Sequence, residues 1–138
     1  MRGIAETAVS ADTEALVALW DLCGLTRPWN DPRADIALAL ETLTSDILII
    51  RREAEIVASA VVGFDGHRGW VYYLAVAPKC RKAGLGRTMM AACEGWLRER
   101  GSPKIQFMVR DDNAAALGFY ESLGYERQAV VTLGRRLD

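Results

Sequence analysis

The fold of the chain is decided by the stretch Val76-Ala77-Pro78-Lys79-Cys80-Arg81-Lys82-Ala83-Gly84-Leu85-Gly86-Arg87, which joins a hydrophobic strand to a helix through a basic loop. The first backbone N–H groups of a helix have no intrahelical partner, and the helix dipole favours negative charge there. Glycine at positions 84 and 86 leaves no Cβ atom between these amides and a ligand. Positive charge around the same point comes from Arg81, Lys82 and Arg87. The stretch therefore predicts a binding site for a diphosphate group.

Two common phosphate-binding loops do not match this stretch. A P-loop requires lysine directly after its last glycine, whereas Gly86 is followed by arginine. A dinucleotide-binding fingerprint requires a third small residue where this chain has Met89. The remaining pattern, R-x-x-G-x-G, is formed by Arg81, Gly84 and Gly86. It resembles the pyrophosphate loop of the GNAT superfamily of N-acetyltransferases, which bind acetyl-CoA.

A second motif, Asn113-Ala114-Ala115-Ala116-Leu117-Gly118-Phe119-Tyr120-Glu121-Ser122-Leu123-Gly124-Tyr125, resembles the other signature of that superfamily. Asn113 is a suitable N-cap for a helix that runs to about Leu123, and Gly124 suits the position after the helix. The resemblance covers roughly residues 47–133. It implies the GNAT fold, an α/β (α+β) arrangement with a mixed central sheet of about six strands, helices on both faces and splayed central parallel strands.

Length and composition are typical of one ordinary globular domain spanning residues 1–138, with 51% hydrophobic and 25% charged residues. A net charge of −1 argues against nucleic acid as a partner, because binding to a phosphate backbone requires a basic surface. The chain has no apolar run long enough to span a membrane and no pattern of a secretion signal. Its three cysteines lack metal-ligand spacing and indicate reduced thiols, so we expect no metal site and a cytoplasmic location.

Hydrophobic periodicity predicts helices that alternate with strands. The first helix is capped by Asp12 and ends at Gly24; the second is capped by Asp31 and carries Ile36, Leu40 and Leu43. The third runs from about Gly84 to Glu99, and the fourth begins at Asn113. Strands are predicted at Gly3–Ala8, Asp46–Arg52, Glu55–Gly63, Trp70–Val76, Lys104–Val109 and Glu126–Leu133. The segment Trp70–Val109 should form a right-handed βαβ crossover.

The resemblance implies roles for particular residues. Backbone groups of Leu74, Ala75 and Val76 would bind pantetheine as a neighbouring strand would, and an amide near Leu74 would stabilise the negative charge on the reacting carbonyl oxygen. The pyrophosphate would lie on the loop residues Arg81, Lys82, Ala83, Gly84, Leu85, Gly86 and Arg87. Tyr120 would act as general acid toward the departing thiolate. Asn113 has two roles open to it: contact with the cofactor arm, or helix capping alone.

The general base is not assigned by the sequence. In the related ribosomal-protein acetylases a glutamate precedes the Asn motif, and the matching residue here is Met108, which cannot accept a proton. An alkylammonium with a pKa near ~10 must lose a proton before it attacks. Asp65, His67 and Asp31 are candidate acceptors, as is a chain of water molecules.

The acceptor is expected to lie against the first two helices and the loop between them. Arg27, Trp29, Asn30 and Asp31 are the candidate substrate-binding residues of that loop. Together with the turn Asp65–Gly69, the loop resembles the YpeA-like bacterial branch, which implies no particular substrate. The alternative is structural: Trp29 covers the edge of the core and Asp31 only caps a helix.

The sequence therefore predicts an enzyme that transfers the acetyl group of acetyl-CoA to a primary amine of a small molecule or a peptide N-terminus, by direct attack in a ternary complex. The alternative is a non-catalytic acyl-CoA-binding module with a sensing or regulatory role. The presence of Tyr120 favours the enzyme, and Met108 leaves the alternative open. The last predicted strand is a candidate for pairing across a homodimer.

Overall fold

A computed structural model describes residues 4–138 of the chain, which fall into two compact units, residues 4–108 and 109–138. The predicted first strand began at Gly3, which lies outside the described residues. In the first unit the elements are β1 (Glu6–Thr7), α1 (Thr13–Leu22), α2 (Pro32–Glu41), β2 (Ser45–Arg52), β3 (Glu55–Phe64), β4 (Gly69–Val76), α3 (Leu85–Glu99) and β5 (Ile105–Phe107). The second unit contains α4 (Ala114–Ser122).

The sheet of the first unit has the order β1-β2-β3-β4-β5. Strands β1 to β4 are antiparallel to their neighbours, while β4 and β5 are parallel. Helix α3 connects the two parallel strands, which confirms the predicted βαβ crossover as a connection. The mixed sheet is thus the predicted one, with five strands in the described residues rather than about six.

Helices cover both faces of this sheet, as predicted. Ser59 pairs with Ile49 across β2 and β3, and Asp46 lies at a position of opposite parity on β2, so Ser59 and Asp46 point to opposite faces. Trp20 of α1 donates its Nε1–H to Ser59 Oγ (2.9 Å), whereas Trp96 of α3 donates to Asp46 Oδ2 (2.8 Å). Helices α1 and α3 therefore lie on opposite faces, and α2 packs beside α1 on β2.

The prediction of a sixth strand is wrong, because the segment Glu126–Leu133 has no regular secondary structure. Its apolar side chains Val130, Val131 and Leu133 are 74%, 85% and 90% exposed. A strand requires a hydrogen-bonding neighbour, and the alternating pattern by itself supplies none. The fifth strand is shorter than Lys104–Val109 for the same reason, since only Ile105–Phe107 pairs with β4.

Two expectations about the first helices also need correction. Helix α1 begins directly after Asp12, but the Asp12 carboxylate does not cap it. It accepts instead from the Val9 N–H (2.9 Å) and from Arg51 (2.7 Å), and these contacts lower its pKa, the backbone bond most. Leu43 lies beyond the end of α2 and is 99% exposed, because the backbone is already extended at Thr42.

The start of β4 is packed too tightly for a side chain. A Cβ atom added to Gly69 would lie 2.5 Å from both methyl groups of Leu97, which is buried beneath the sheet. We expect Gly69→Ala to lower the free energy of unfolding by about 1–3 kcal/mol through overpacking. Gly63→Ala is the matched control, since its Cβ would make ordinary contacts at 3.4 Å or more. Equal stability of the two variants in urea denaturation would contradict this account.

Candidate active site

Strand β4 has a neighbour on its β5 side over only part of its length. The parallel pairing joins Gly69, Trp70 and Val71 to Ile105, Gln106 and Phe107. The rest of β4, from Tyr72 to Val76, continues beyond this point, and no strand of the described residues pairs with it on that side. This arrangement is the predicted splaying of the parallel strands. It leaves backbone groups of Leu74, Ala75 and Val76 without a strand neighbour, and an extended ligand can use them apart from the Val76 carbonyl, which accepts from the side chains of Arg81 and Cys23.

A β-bulge lies at the beginning of this half-paired segment. Ser59 pairs with Ala75 and Val61 with Tyr72, so two steps along β3 correspond to three along β4. Tyr73 has a φ of 53°, in the left-handed region, which costs a bulky residue about 1–3 kcal/mol. Leu74, whose amide the sequence predicts as an oxyanion contact, lies within this bulge, directly after the left-handed Tyr73.

Three contacts hold Tyr73 in this conformation. Its ring stacks on Trp20, with centroids 3.9 Å apart and planes at 2°. Its carbonyl accepts from Ser59 Oγ (3.4 Å), and its hydroxyl donates to Asp35 Oδ2 of α2 (2.7 Å). Burial first, and then the bond to Asp35, raise the pKa of the Tyr73 phenol. The hydroxyl is therefore protonated at neutral pH and acts as a donor to the carboxylate.

The loop after β4 has the backbone conformation of an anion-binding nest. Lys82 and Gly84 have φ values of 70° and 78°, and α3 begins at Leu85 without a side-chain cap. The Thr88 N–H bonds to the Gly84 carbonyl (3.0 Å), which makes it the first amide of α3 with an intrahelical partner. Apart from its chain neighbours, no atom of residues 4–138 lies within 4 Å of a Cβ built on Gly84. This space and the uncapped amides fit the diphosphate predicted for the loop.

Some of the basic side chains near the loop are bound by other groups of the protein, and others are not. Arg81 donates its Nε–H to the Val76 carbonyl (3.3 Å), and Lys79 forms an ion pair with Glu55 (2.8 Å). Within residues 4–138 neither Lys82 nor Arg87 forms a salt bridge. Two cations beside the nest are thus uncompensated by carboxylates of the described chain, which suits an anionic ligand.

Asn113 and Tyr120 belong to the second unit and are described within it. The Asn113 Oδ1 accepts from the Ala116 N–H (3.0 Å), so this residue caps α4 as predicted. The ring of Tyr120 makes edge contacts with Phe119 and Tyr125, with centroids 5.1 Å and 6.2 Å away. The helix ends with Gly124 at a φ of 96°, the conformation expected of a glycine after a helix.

Two of the three side chains considered as general bases accept hydrogen bonds from backbone N–H groups. Asp65 accepts from the backbone N–H groups of Arg68 (2.7 Å) and His67 (2.8 Å), and these bonds lower its pKa. Asp31 accepts from the N–H groups at the start of α2, which confirms it as the helix cap. His67 lies exposed in the β3–β4 turn, and Met108 is 53% exposed.

The loop between α1 and α2 is held by its own backbone. Arg27 donates to the carbonyls of Gly24 (2.7 Å) and Thr26 (2.9 Å), and the Asn30 N–H donates to the Arg27 carbonyl (3.1 Å). Trp29 is 55% exposed, more than a residue that only closes the core requires. The loop is therefore an ordered surface beside α2, and its role in acceptor binding stays a prediction.

Sequence reasoning missed the pair formed by Tyr73 and Asp35. Their contact joins residues 38 positions apart, and no local pattern connects a strand tyrosine to a helix carboxylate. The adjacent tyrosines 72 and 73 were a usable signal, because two aromatic residues on one strand face opposite sides of a sheet. One of them must then lie toward the helices α1 and α2.

Comparison with known proteins identifies the class. Residues 13–125 match the model of the Acetyltransferase (GNAT) family, and the chain belongs to this family. An acetyltransferase of Pectobacterium atrosepticum is 46% identical over 126 residues, which cover 91% of this chain and 89% of the relative. An acetyltransferase of Yersinia enterocolitica is 43% identical over 127 residues, covering 92% and 90% of the two chains. The chain is thus an acetyl-CoA-dependent acetyltransferase; the narrower YpeA-like resemblance stays a prediction.

Solved structures share the fold at low sequence identity. AAC(6')-Iy, in complex with the bisubstrate analogue CoA-S-monomethyl-acetylneamine, has a TM-score of 0.83 at 15% identity, with 99% of each chain covered. The ribosomal-protein-S18-alanine N-acetyltransferase of Escherichia coli has a TM-score of 0.79 at 22% identity, over 93% of this chain and 80% of that one. No helix within residues 4–138 has the length and hydropathy needed to cross a bilayer.

Proposed function

We propose that this acetyltransferase transfers its acetyl group to a primary amine of a small molecule or a peptide N-terminus, by direct attack in a ternary complex. The observation that carries the proposal is the continuity between the half-paired end of β4 and the uncapped start of α3. One groove can thus hold an extended arm along the strand and a diphosphate at its end. The names of the curated relatives favour an enzyme over a binding module that only senses acyl-CoA.

Each part of this groove has a proposed role. Backbone groups of Leu74, Ala75 and Val76 bind the pantetheine arm, and the nest from Arg81 to Arg87 binds the pyrophosphate. Bound acetyl-CoA supplies an activated thioester. The amide of Leu74, positioned by the bulge, donates toward the thioester carbonyl and stabilises the charge that develops there.

Proton transfer requires a donor and an acceptor. Tyr120 is the proposed donor, with its phenol hydrogen directed to the departing sulfur. Asn113, at the N-terminus of the same helix, is proposed to contact the cofactor arm through its amide N–H₂, since its Oδ1 makes the cap. Of the protein side chains considered as bases, Asp31 and Asp65 hold backbone amides, which favours water as the first acceptor of the amine proton.

The acceptor class is supported by two kinds of neighbour. Aminoglycoside acetyltransferases and the ribosomal-protein-S18-alanine N-acetyltransferase of Escherichia coli share this fold, and the names of both kinds describe acetyl transfer to nitrogen-containing acceptors. Neither identity is high enough to transfer a substrate to this chain. The loop from Arg27 to Asp31 and the first turn of the helix that follows it are the proposed acceptor wall.

The function is tested by release of coenzyme A from acetyl-CoA, measured across alkylamines, diamines, aminoglycosides, amino acids and N-terminal peptides. Calorimetric binding of acetyl-CoA is measured in parallel. We expect saturable turnover with one class of amine and none without an amine. Tight binding of acetyl-CoA with no release for any amine would overturn transfer to an amine and favour the binding module.

A further inference from the structure

We propose that Asp35, oriented by Tyr73, is the binding site for the ammonium group of the acceptor. This inference rests on the proposed function and deepens it, because it assigns the residue that selects a cationic acceptor. The two residues lie outside the loop Arg27–Asp31 and outside the two sequence motifs.

The first argument is the geometry of the carboxylate. Asp35 Oδ2 accepts from the Tyr73 hydroxyl at 2.7 Å, and within residues 4–138 the second oxygen, Oδ1, has no hydrogen-bond donor. The side chain is neither buried nor fully exposed. A half-buried carboxylate with one oxygen fixed and the other open is oriented to accept from a ligand N–H.

The second argument is the charge around it. Of the acidic side chains around Asp35, Asp31 caps α2 and Glu14 forms an ion pair with Arg33 (2.7 Å), whereas Glu41, at the other end of α2, forms no salt bridge within the described residues. Asp35 has no salt bridge to any described residue, although Arg33 lies on the same helix. The wall therefore presents a negative charge that the described chain leaves uncompensated, and a cation of the ligand complements it.

The third argument is position. Tyr73 directly precedes Leu74, whose amide is proposed to lie at the thioester carbonyl. Because the stack on Trp20 and the bond from Ser59 fix Tyr73, its hydroxyl fixes the carboxylate relative to the bulge. An ammonium bound at Asp35 is thus held at the reactive end of the proposed pantetheine segment rather than at the pyrophosphate end. This placement suits a primary amine that must approach the acetyl group.

The test compares Asp35→Asn with Glu41→Gln, which removes the same charge from the end of the same helix. Binding of butylamine, putrescine and alanyl-alanine amide is measured by calorimetry with coenzyme A present, so that no turnover occurs. We expect Asp35→Asn to weaken binding of the amines that bind the wild type by about tenfold to a hundredfold. Glu41→Gln should leave their binding unchanged, and both variants should bind coenzyme A like the wild type.

A second readout distinguishes charge recognition from a loss of structure. Added sodium chloride should weaken amine binding by the wild type and have little effect on Asp35→Asn, because only the wild type has the carboxylate whose attraction for the ammonium group salt can screen. Tyr73→Phe should give a smaller loss, since the carboxylate stays but is no longer oriented. Unchanged amine affinity in Asp35→Asn, or no binding of any of the three amines to the wild type, overturns the inference. If the Asp35→Asn variant turns over amines with an unchanged KM, the inference fails but the proposed function stands. If the wild type does not bind coenzyme A, both the inference and the proposed function fail.

Discussion

Gly86→Val is expected to raise the Kd for acetyl-CoA roughly a hundredfold or more, because it covers the amides of the first turn of α3. Hydrogen bonds to a charged group contribute about 1.5–3 kcal/mol each, so the loss of two such bonds accounts for the change. Valine has a higher helix propensity than the glycine it replaces, so the helix should persist. Calorimetric titration of the variant with acetyl-CoA measures the effect.

Gly95→Val is the matched control for this variant. Gly95 lies in the same helix, and a Cβ atom there meets nothing within 4 Å. The substitution makes the same favourable change in helix propensity but lies far along α3 from the nest. We expect it to bind acetyl-CoA like the wild type. Retained affinity in Gly86→Val would mean that the pyrophosphate does not lie on this loop.

Tyr120→Phe is expected to lower kcat by about a hundredfold or more, the usual contribution of a positioned general acid. The phenyl ring keeps the edge contacts with Phe119 and Tyr125, so α4 should stay folded. The Kd for acetyl-CoA should stay close to that of the wild type, since the proposed role of the hydroxyl is to protonate the departing sulfur and not to bind the cofactor. Steady-state release of coenzyme A with the best amine of the panel, combined with calorimetry, separates the two quantities.

The control for Tyr120 is Tyr125→Phe, which removes a hydroxyl from the same aromatic cluster. Its ring lies 6.2 Å from that of Tyr120, so a general disturbance of the cluster should affect both variants alike. We expect Tyr125→Phe to keep most of the wild-type kcat. An unchanged kcat in Tyr120→Phe would remove this residue from the proton transfer.

The sequence was sufficient for elements whose signals are local. The spacing of Leu85, Met89, Cys93 and Trp96 predicts the buried face of α3, and the structure buries all four. Asp31 before Pro32 predicts the start of α2 through capping and a fixed proline φ. The absence of a strand at Glu126–Leu133 was not predictable in this way, because strand formation depends on a partner that can lie anywhere in the chain.

The same distinction applies to the site. The nest is formed by residues 82–84, which are adjacent in sequence, so the local sequence pattern is sufficient to predict it. The bulge at Tyr73 depends on its fit against Ser59, Trp20 and Asp35, which come from three other elements. A left-handed tyrosine in a strand contradicts local preference and is stable only through these contacts. Such a feature becomes visible once the tertiary structure is known.

The bulge also bears on the colloidal behaviour of the protein. A half-paired strand such as Tyr72–Val76 is a template on which strands of other molecules can grow into aggregates. At Tyr73 the ladder loses its regular spacing and the backbone turns left-handed, so an incoming polypeptide meets a break at the entrance to the segment. A thin, flexible ligand with few amide groups has no such requirement for continuous register. The irregularity that we propose prepares the strand for acetyl-CoA thus also protects it from pairing with other chains.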